Sequence, residues 1–560
     1  METSNAPQFL LLPSELILLI LSHLGVDEVL ALRQTCVKLS QLTADRTLWL
    51  QLLHRQYATL PLPSHLRRLI ESEDPTLLDL PHLALVPEVR FAHRIAQSWT
   101  QPRRDRPVKL EPKTANSLLG FEVFLDRWLL AAYGEGIVQL WDINPHKSDS
   151  TLPFLEATDK PYRSVGSSTD IDMQNGGGGW TSFTAALDSS EQFIIFALTK
   201  SASMPPETKV SSIFIGPPPN YFVHMLSTPS MSPQTIRTID PNLGFYISSG
   251  HNNIEINQWS VENSSVSKRS VTLETQPGDV WNGILDIRVV GPYLVIFKAR
   301  TLELHDYLSV PYFEHPYSQL HDLPVMIYNF PPALTFRYIS CADYTATEPN
   351  DPESPLFFEF LGYDVLKGTF RFVASILFVT KPSGQTDAGI DVRCLGVSAL
   401  ANNLDLNQLF PYFPFAPGSR SETSPSVEPQ RDTPAPSPQD TPTPTPLASH
   451  AGIFGPTDAG EPAARGFVSA MSLGPQGRRA VWVERTRGST LREVRVWSKE
   501  PDEEDDDAKA IDMPTHVVYS VGSYDLREDI THCAIAEASG TIILGNRAGD
   551  IFVLGLNILK

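Results

Sequence analysis

A small all-helical module followed by a large all-β domain is what this sequence predicts, on three observations. Residues 9–57 carry apolar side chains at helical spacing. From about residue 110 that periodicity gives way to short strand-like runs. Those runs come in pairs, and the pairs recur about seven times. The fold class is therefore α + all-β: a helical module over 9–57, a helical connector over 58–108, and a β domain over 109–560, with an insert of disorder-type composition at 418–465.

The module reads as four helices. Pro13 suits the first helical turn, where no backbone N–H is needed, and Glu15 follows where an acid favours the helix dipole. Leu16 to Leu21 are apolar without interruption, so this helix is apolar all round and must be covered on more than one side. Asp27 can cap a second helix that buries Val29, Leu30 and Leu32. Cys36, Leu39 and Leu42 recur at a spacing of three in the next, and Asp45 can cap a fourth with Leu48, Trp49, Leu52 and Leu53 on one stripe. A unit of under about 50 residues cannot hide all this surface alone. The remainder points to a protein partner. A signal-peptide core is the other reading of residues 16–21, but METSNAPQ has no basic residue and Glu15 precedes the run.

This order of residues resembles the F-box: Leu12-Pro13-x-Glu15, then Ile20 and Leu24, Leu30 and Leu32, Cys36 and Leu39, and Asp45-x-x-Leu48-Trp49. Thr35 departs from the family's usual valine. The resemblance implies docking onto the Skp adaptor, and through it a cullin, in an SCF ubiquitin ligase. The adaptor contacts it implies are Leu12, Pro13, Glu15, Ile17, Ile20, Leu24, Leu30, Leu32, Leu39, Leu48 and Trp49, several of which also serve the module's own core.

In the connector, SHLRRLIES and VRFAHRIAQSW are amphipathic, with Val89, Ile95 and Trp99 on one stripe of the latter. Pro61, Pro63, Pro75, Pro81 and Pro87 should cut it into short pieces. An F-box followed by such a segment ending in A-x-x-W and then proline resembles many fungal F-box proteins.

The clearest strand pair is Trp128 to Ala132 with Ile137 to Asp142, joined at Gly134 to Gly136. Its closing Trp141-Asp142 resembles the inner hairpin of a WD-repeat blade. The same grammar recurs in GFYISSGHNNIEINQWSV, in Tyr293 to Lys298 with Thr301 to Tyr307, in Val481 to Glu484 with Glu493 to Trp497, and in Thr541 to Leu544 with Ile551 to Leu554. FIIFALT with VSSIFIG and FFEFLGY with FRFVASILFV are looser cases. About seven hairpins, spaced mostly by 48 to 70 residues, indicate a β-propeller of about seven blades, with a β-sandwich pair or an irregular β domain as the alternative. The last hairpin lies where a ring-closing blade would.

Composition narrows the function. The balance of 44 basic against 64 acidic residues, a net charge of −20, argues against a nucleic-acid partner. Four scattered cysteines give no zinc spacing and no disulfide framework, which suits the cytoplasm or nucleus. No apolar run approaches the roughly 18 residues of a membrane span, so the sequon at Asn263 is read as chance and no membrane partner is expected. Gly176 to Gly179 are followed by Trp180 and not by Gly-Lys-Ser/Thr, so they read as a loop, as do Pro217 to Pro219. Asp170 and Asp172 read as turn residues. No nucleophile elbow, HExxH or kinase loop occurs, and neither cofactor nor metal nor catalytic residue is expected. Residues 418–465 are too polar and proline-rich to pack, and six Ser-Pro or Thr-Pro pairs there (Ser424 to Thr445) are candidates for phosphorylation. Glu500 to Asp507 reads as a solvated acidic loop. The expected function is a non-catalytic substrate receptor, the module binding the adaptor and the propeller an unknown target protein. A non-ligase scaffold, or a propeller enzyme with an F-box appendage, are the alternatives.

Overall fold

The fold is that of a computed structural model. It describes residues 8–62 except 59, 82–110 except 103–105, 117–143, 163–167, 179–200, 206–215, 221–229, 234–250, 253–260, 265–272, 282–307, 320–321, 324–346, 354–380, 386–399, 409, 466–485, 489–499, 511–522 and 524–556. The insert at 418–465, SHLRRLIES, Asp170, Asp172, the glycine run as far as Gly178, Pro217 to Pro219, Asn263 and Glu500 to Asp507 lie outside the described residues.

After a 3-10 turn at Gln8–Leu11 come α1 (Ser14–His23), α2 (Val26–Arg33), α3 (Val37–Leu42) and α4 (Arg46–Tyr57). Pro13 stands just before α1 rather than inside it, and Glu15 lies in its first turn. Asp45 caps α4 as expected, its side chain accepting from Thr47 N at 2.7 Å. Asp27 is not a cap. Gly25 occupies that position, so Asp27 falls inside the first turn of α2, where its carboxylate meets His93 at 3.3 Å. The connector also differs from expectation. Its helix α5 (His82–Thr100) runs through Pro87 without ending. A proline inside a helix costs about 3 kcal/mol. Burial of Leu85, Val89, Ala92, Ile95 and Trp99 along one length of α5 offsets that cost.

The β region forms seven sheets, each a blade of antiparallel strands in sequence order. A short strand, β1 (Val108–Leu110), precedes them. Blade 1 is β2 (Leu118–Phe124), β3 (Trp128–Tyr133), β4 (Val138–Asp142) and β5 (Arg163–Ser167). Blade 2 is β6 (Ser182–Leu187), β7 (Phe193–Lys200), β8 (Glu207–Phe214) and β9 (Tyr221–Pro229). Blade 3 is β10 (Thr235–Asp240), β11 (Phe245–Ser249), β12 (Asn253–Ser260) and β13 (Ser265–Thr272). Blade 4 is β14 (Ile284–Val290), β15 (Tyr293–Lys298), β16 (Thr301–Asp306) and, after β17 (Leu320–His321), β18 (Met326–Asn329). Blade 5 is β19 (Phe336–Cys341), β21 (Leu356–Asp364), β22 (Gly368–Thr380) and β23 (Thr386–Ala399), with β20 (Thr345–Ala346) beside β21. Blade 6 is β24 (Phe467–Leu473), β25 (Arg479–Arg485), β26 (Leu491–Ser498) and, after β27 (Ile511–Asp512), β28 (His516–Gly522). Blade 7 is β29 (Ile530–Ala536), β30 (Thr541–Asn546) and β31 (Ile551–Gly555).

The first strands of successive blades touch in turn, from β2 through β6, β10, β14, β19 and β24 to β29, and β29 touches β2 again. The chain is thus a closed seven-blade β-propeller. It is fastened by β1, which pairs antiparallel with β31 and supplies the fourth strand of blade 7. Two further strands tie neighbouring blades. β17, from the loop before the last strand of blade 4, pairs parallel with β13 of blade 3, and β27, from the equivalent loop of blade 6, pairs parallel with β23 of blade 5.

All seven hairpins read from the sequence are the second and third strands of a blade, not its innermost pair. These strands are covered on both sides by neighbouring blades, which is why they read as continuous apolar runs. In β3, Leu130 and Ala132 pack towards blade 2, while Leu129, Ala131 and Tyr133 pack towards blade 7. Each of the seven blade interfaces holds its own apolar cluster. The helical module has one more.

Candidate functional site: the apolar face of the first helix

The module has a closed part and an open part. The closed part centres on Trp49. Its indole N–H donates to Thr43 O at 2.7 Å, and Thr43 Oγ1 donates to Leu39 O at 2.8 Å, so α4 is pinned to the end of α3. Ile17, Leu21, Val26, Val29, Leu48 and Leu52 close around the ring. Arg55 on α4 reaches back to the end of α1, with Nη1 3.0 Å from Ser22 O and Nη2 2.9 Å from Leu24 O. Those carbonyls would otherwise lack partners, so α1 is held by its terminus as well as by its inner face.

The open part is the opposite side of α1. Leu16 is 47% exposed, Leu19 56% and Ile20 40%; elsewhere in the module Leu11 is 74% exposed and Val37 73%. Lys38 donates to the carbonyl of Leu10, fixing the lead-in segment against α3. The exposed side chains therefore sit on an ordered platform.

The expected adaptor contacts divide between these two parts. Pro13, Glu15 and Ile20 are exposed, while Leu12, Leu24, Leu30 and Leu32 are half-buried. Ile17, Leu39, Leu48 and Trp49 are buried in the module's own core and offer no surface in this chain. Sequence reading did not single out Leu11, Leu16, Leu19 or Val37. A signal for two of them was present: Ile17 and Leu21, four apart, mark the inward face and leave Leu16 and Leu19 outside.

α5 joins the module to the ring. Leu85 and Val89 belong to the module's cluster, whereas Ala92, Ile95 and Trp99 belong to the cluster between blades 6 and 7. Trp99 Nε1 donates to Glu537 O at 3.0 Å. The turn there is tight: Gly540 has φ +67, and a Cβ on it would come within 3.0 Å of Ile95 Cδ1. Glu537 forms a buried ion pair with Arg479 at 2.5 Å, and the guanidinium lies 5.9 Å from the Trp99 ring centroid. Burial pushes the Glu537 carboxyl up to about 7, with Arg479 pulling the other way.

The first strands of the ring bring some charge together. Arg288 on β14 pairs with Asp286 at 2.9 Å. Across from them burial raises the Glu122 carboxyl on β2 to about 7, against the pull of Arg288. The Cys341 and Cys533 thiols on β19 and β29 are pushed well up by burial, which keeps them protonated and unreactive. His532 Nε2 donates to Leu119 O at 3.1 Å, and burial lowers its pKa. Among the described residues no group of three His, Cys, Asp or Glu side chains is placed to hold a metal ion.

Residues 9–55 match the F-box-like family model. The N-terminal module is an F-box-like domain. No curated protein matches the chain. Among solved structures, the chain is similar to the WD40 domain of SCAP from fission yeast at 8% identity, covering 80% of this chain and 98% of that one, with a TM-score of 0.37. It is likewise similar to the C-terminal WD40 domain of Sif2 at 8% identity, covering 81% and 98%, with a TM-score of 0.38. The WD40 domain of Pan2 from Neurospora crassa gives 10% identity, coverage of 81% and 97%, and a TM-score of 0.33. The propeller assignment rests on the strand pairing described above and not on these likenesses. An F-box-like domain joined to a propeller fits a substrate-recognition adaptor.

Proposed function

We propose that this chain is the substrate receptor of a cullin-type ubiquitin ligase. The F-box-like domain docks on the Skp adaptor through the outer face of α1, and the propeller holds a target protein. The supporting observation is the ordered apolar face of Leu16, Leu19 and Ile20 beside Pro13 and Glu15. Exposed apolar side chains on a fixed helix are what a helix-to-helix protein contact requires. The buried members of the expected set, Ile17, Leu39, Leu48 and Trp49, then act by holding α1 in place. The chain supplies no chemistry of its own. A target lysine is held near a charged conjugating enzyme, and the gain is effective concentration. The natural compartment is the cytoplasm or nucleus, consistent with free thiols at Cys36, Cys341, Cys394 and Cys533.

The test is affinity purification of the intact chain and of a Leu19→Asp/Ile20→Asp variant. The intact chain should bring down the adaptor and a cullin, and the variant neither. Adaptor without cullin would support the scaffold reading instead. Undiminished adaptor in the variant would remove α1 as the docking face.

A further inference from the structure

The face of the ring turned away from α5 carries a feature that the adaptor surface does not use. α5 touches the turn between β29 and β30, through Ile95 at Gly540 and Trp99 at Glu537. That turn joins the first and second strands of its blade. In every blade, therefore, the start of the first strand and the turn between the second and third strands lie on the opposite face. There, over blades 5 and 6, large apolar side chains stand exposed: Tyr338 near the start of β19, Leu366 in the turn between β21 and β22, and Phe467 at the start of β24. Basic side chains alternate with them: exposed Arg337 beside Tyr338, Lys367 beside Leu366, and exposed Arg485 paired across the ladder with Phe467.

These groups form one connected surface. Arg300, in the turn of blade 4, donates from Nε to Thr335 Oγ1 at 3.3 Å. Thr335 N donates to Asp364 Oδ2 at 2.8 Å, and Asp364 Oδ1 accepts from Leu366 N and Lys367 N at 2.8 and 3.0 Å. Tyr338 stacks on Tyr363 with centroids 6.2 Å apart, and Tyr363 OH accepts from Val468 N at 3.0 Å, next to Phe467. The apolar groups are thus mounted on turns whose backbone is already bonded.

The charge balance selects the occupant. The chain as a whole carries −20, yet the exposed ionic groups on these segments are basic. The carboxylates nearby are buried and engaged: Asp364 on the three backbone N–H groups above, and Glu484 with Arg495 at 3.2 Å and Gly466 N at 3.2 Å. Arg337 and Arg485 have no carboxylate partner among the described residues. Apolar side chains between unpaired guanidinium groups complement an extended peptide in which carboxylates alternate with apolar side chains. We propose that this face, over blades 5 and 6, docks an acidic, apolar-anchored peptide segment of a separate protein. The inference deepens the receptor reading by naming the chemistry of the target segment.

The experiment measures binding of a labelled peptide alternating glutamate and leucine to the full chain by fluorescence anisotropy. The glutamine-for-glutamate peptide serves as comparator. Binding should weaken at least about tenfold with the glutamine peptide, and by a similar factor in an Arg337→Glu/Arg485→Glu variant. Leu366→Ser should weaken it several-fold with an unchanged salt dependence. Should the double variant melt early, Arg337→Gln/Arg485→Gln gives the same reading without charge reversal. Equal binding of both peptides, indifference to both double variants, or displacement by heparin as readily as by unlabelled peptide would overturn the proposal. Adaptor pull-down on the same preparations separates the two readings. Adaptor binding without peptide binding sinks this surface alone, and peptide binding without adaptor binding sinks only the ligase role.

Discussion

The helical module and the ring bury apolar surface in opposite ways. The ring is closed: each blade covers its neighbours, and β1 completes the last blade. The module is open: one face of α1 is sealed around Trp49, and the other shows Leu16, Leu19 and Ile20 to solvent. A closed ring carries its stability in pairing between distant parts of the chain. A module of this size depends on neighbours, and here it has one, α5, while a second side stays free. The two regions should therefore respond differently to damage.

The largest effect is expected from breaking the ring's fastening. Deleting residues 107–110, or trimming from Gly540 onward, should abolish the cooperative melting of the whole β domain followed by far-UV circular dichroism. Blade 7 takes its fourth strand from β1 and its second and third from β30 and β31, so either truncation leaves the ring without a complete closing blade. A sharp, near-native transition in either truncation would mean that the blades stand independently.

Next comes the joint between the regions. Trp99→Ala removes a fully buried indole and its bond to Glu537 O, and should cost about 3–5 kcal/mol in guanidinium unfolding. It should also expose α5 to limited proteolysis. A cost below about 1 kcal/mol would show that α5 rests on the ring without being fixed to it.

A smaller effect on stability, with a large one on binding, is expected at the open face. Leu19→Asp with Ile20→Asp should abolish adaptor capture while leaving unfolding within about 0.5 kcal/mol for each change, because both side chains are already exposed. Loss of folding would show instead that this face is covered within the chain.

The smallest effect concerns pH at the joint. Burial raises the folded-state pKa of Glu537 to about 7, so the folded chain retains a proton that the unfolded chain releases at lower pH. The contribution of this group is full below the ordinary carboxylate range and is lost as pH rises towards 7. Glu537→Gln, which mimics the protonated form, should flatten that part of the stability profile between about pH 4.5 and 7. An unchanged slope would place the titration elsewhere, with Glu122 the next carboxyl to replace.

The sequence made different parts of the two regions legible. In the module, individual side chains do fixed jobs, so Asp45 as a cap and Trp49 as the core anchor could be read directly. Asp27 misled because Gly25, with no side chain to signal a cap, occupies the N-cap of α2 two residues earlier. In the ring, the second and third strands stood out because both their faces are buried. The first strands did not. β6 (SFTAAL) and β10 (TIRTID) mix polar and apolar residues and are only partly buried. β1, at three residues, and β17 and β27, at two, are too short to carry any periodicity, and their place is set only by partners far along the chain. The basic and apolar face over blades 5 and 6 was invisible for the same reason, since the turns that build it are brought together only by closure.

The pairing of Val108 with Val553 also has a consequence in time. Roughly 445 residues separate the two strands, and at about 5–20 residues per second a growing chain needs roughly 20 to 90 seconds between making one and making the other. During that interval β1 and the apolar stripe of α5 have been synthesised but their seat between blades 6 and 7 has not. The F-box-like domain, made before the ring, needs only its own helices and Leu85 and Val89 of α5 to close its core. The order of synthesis thus presents the open face of α1 to a partner before the ring exists to hold a target.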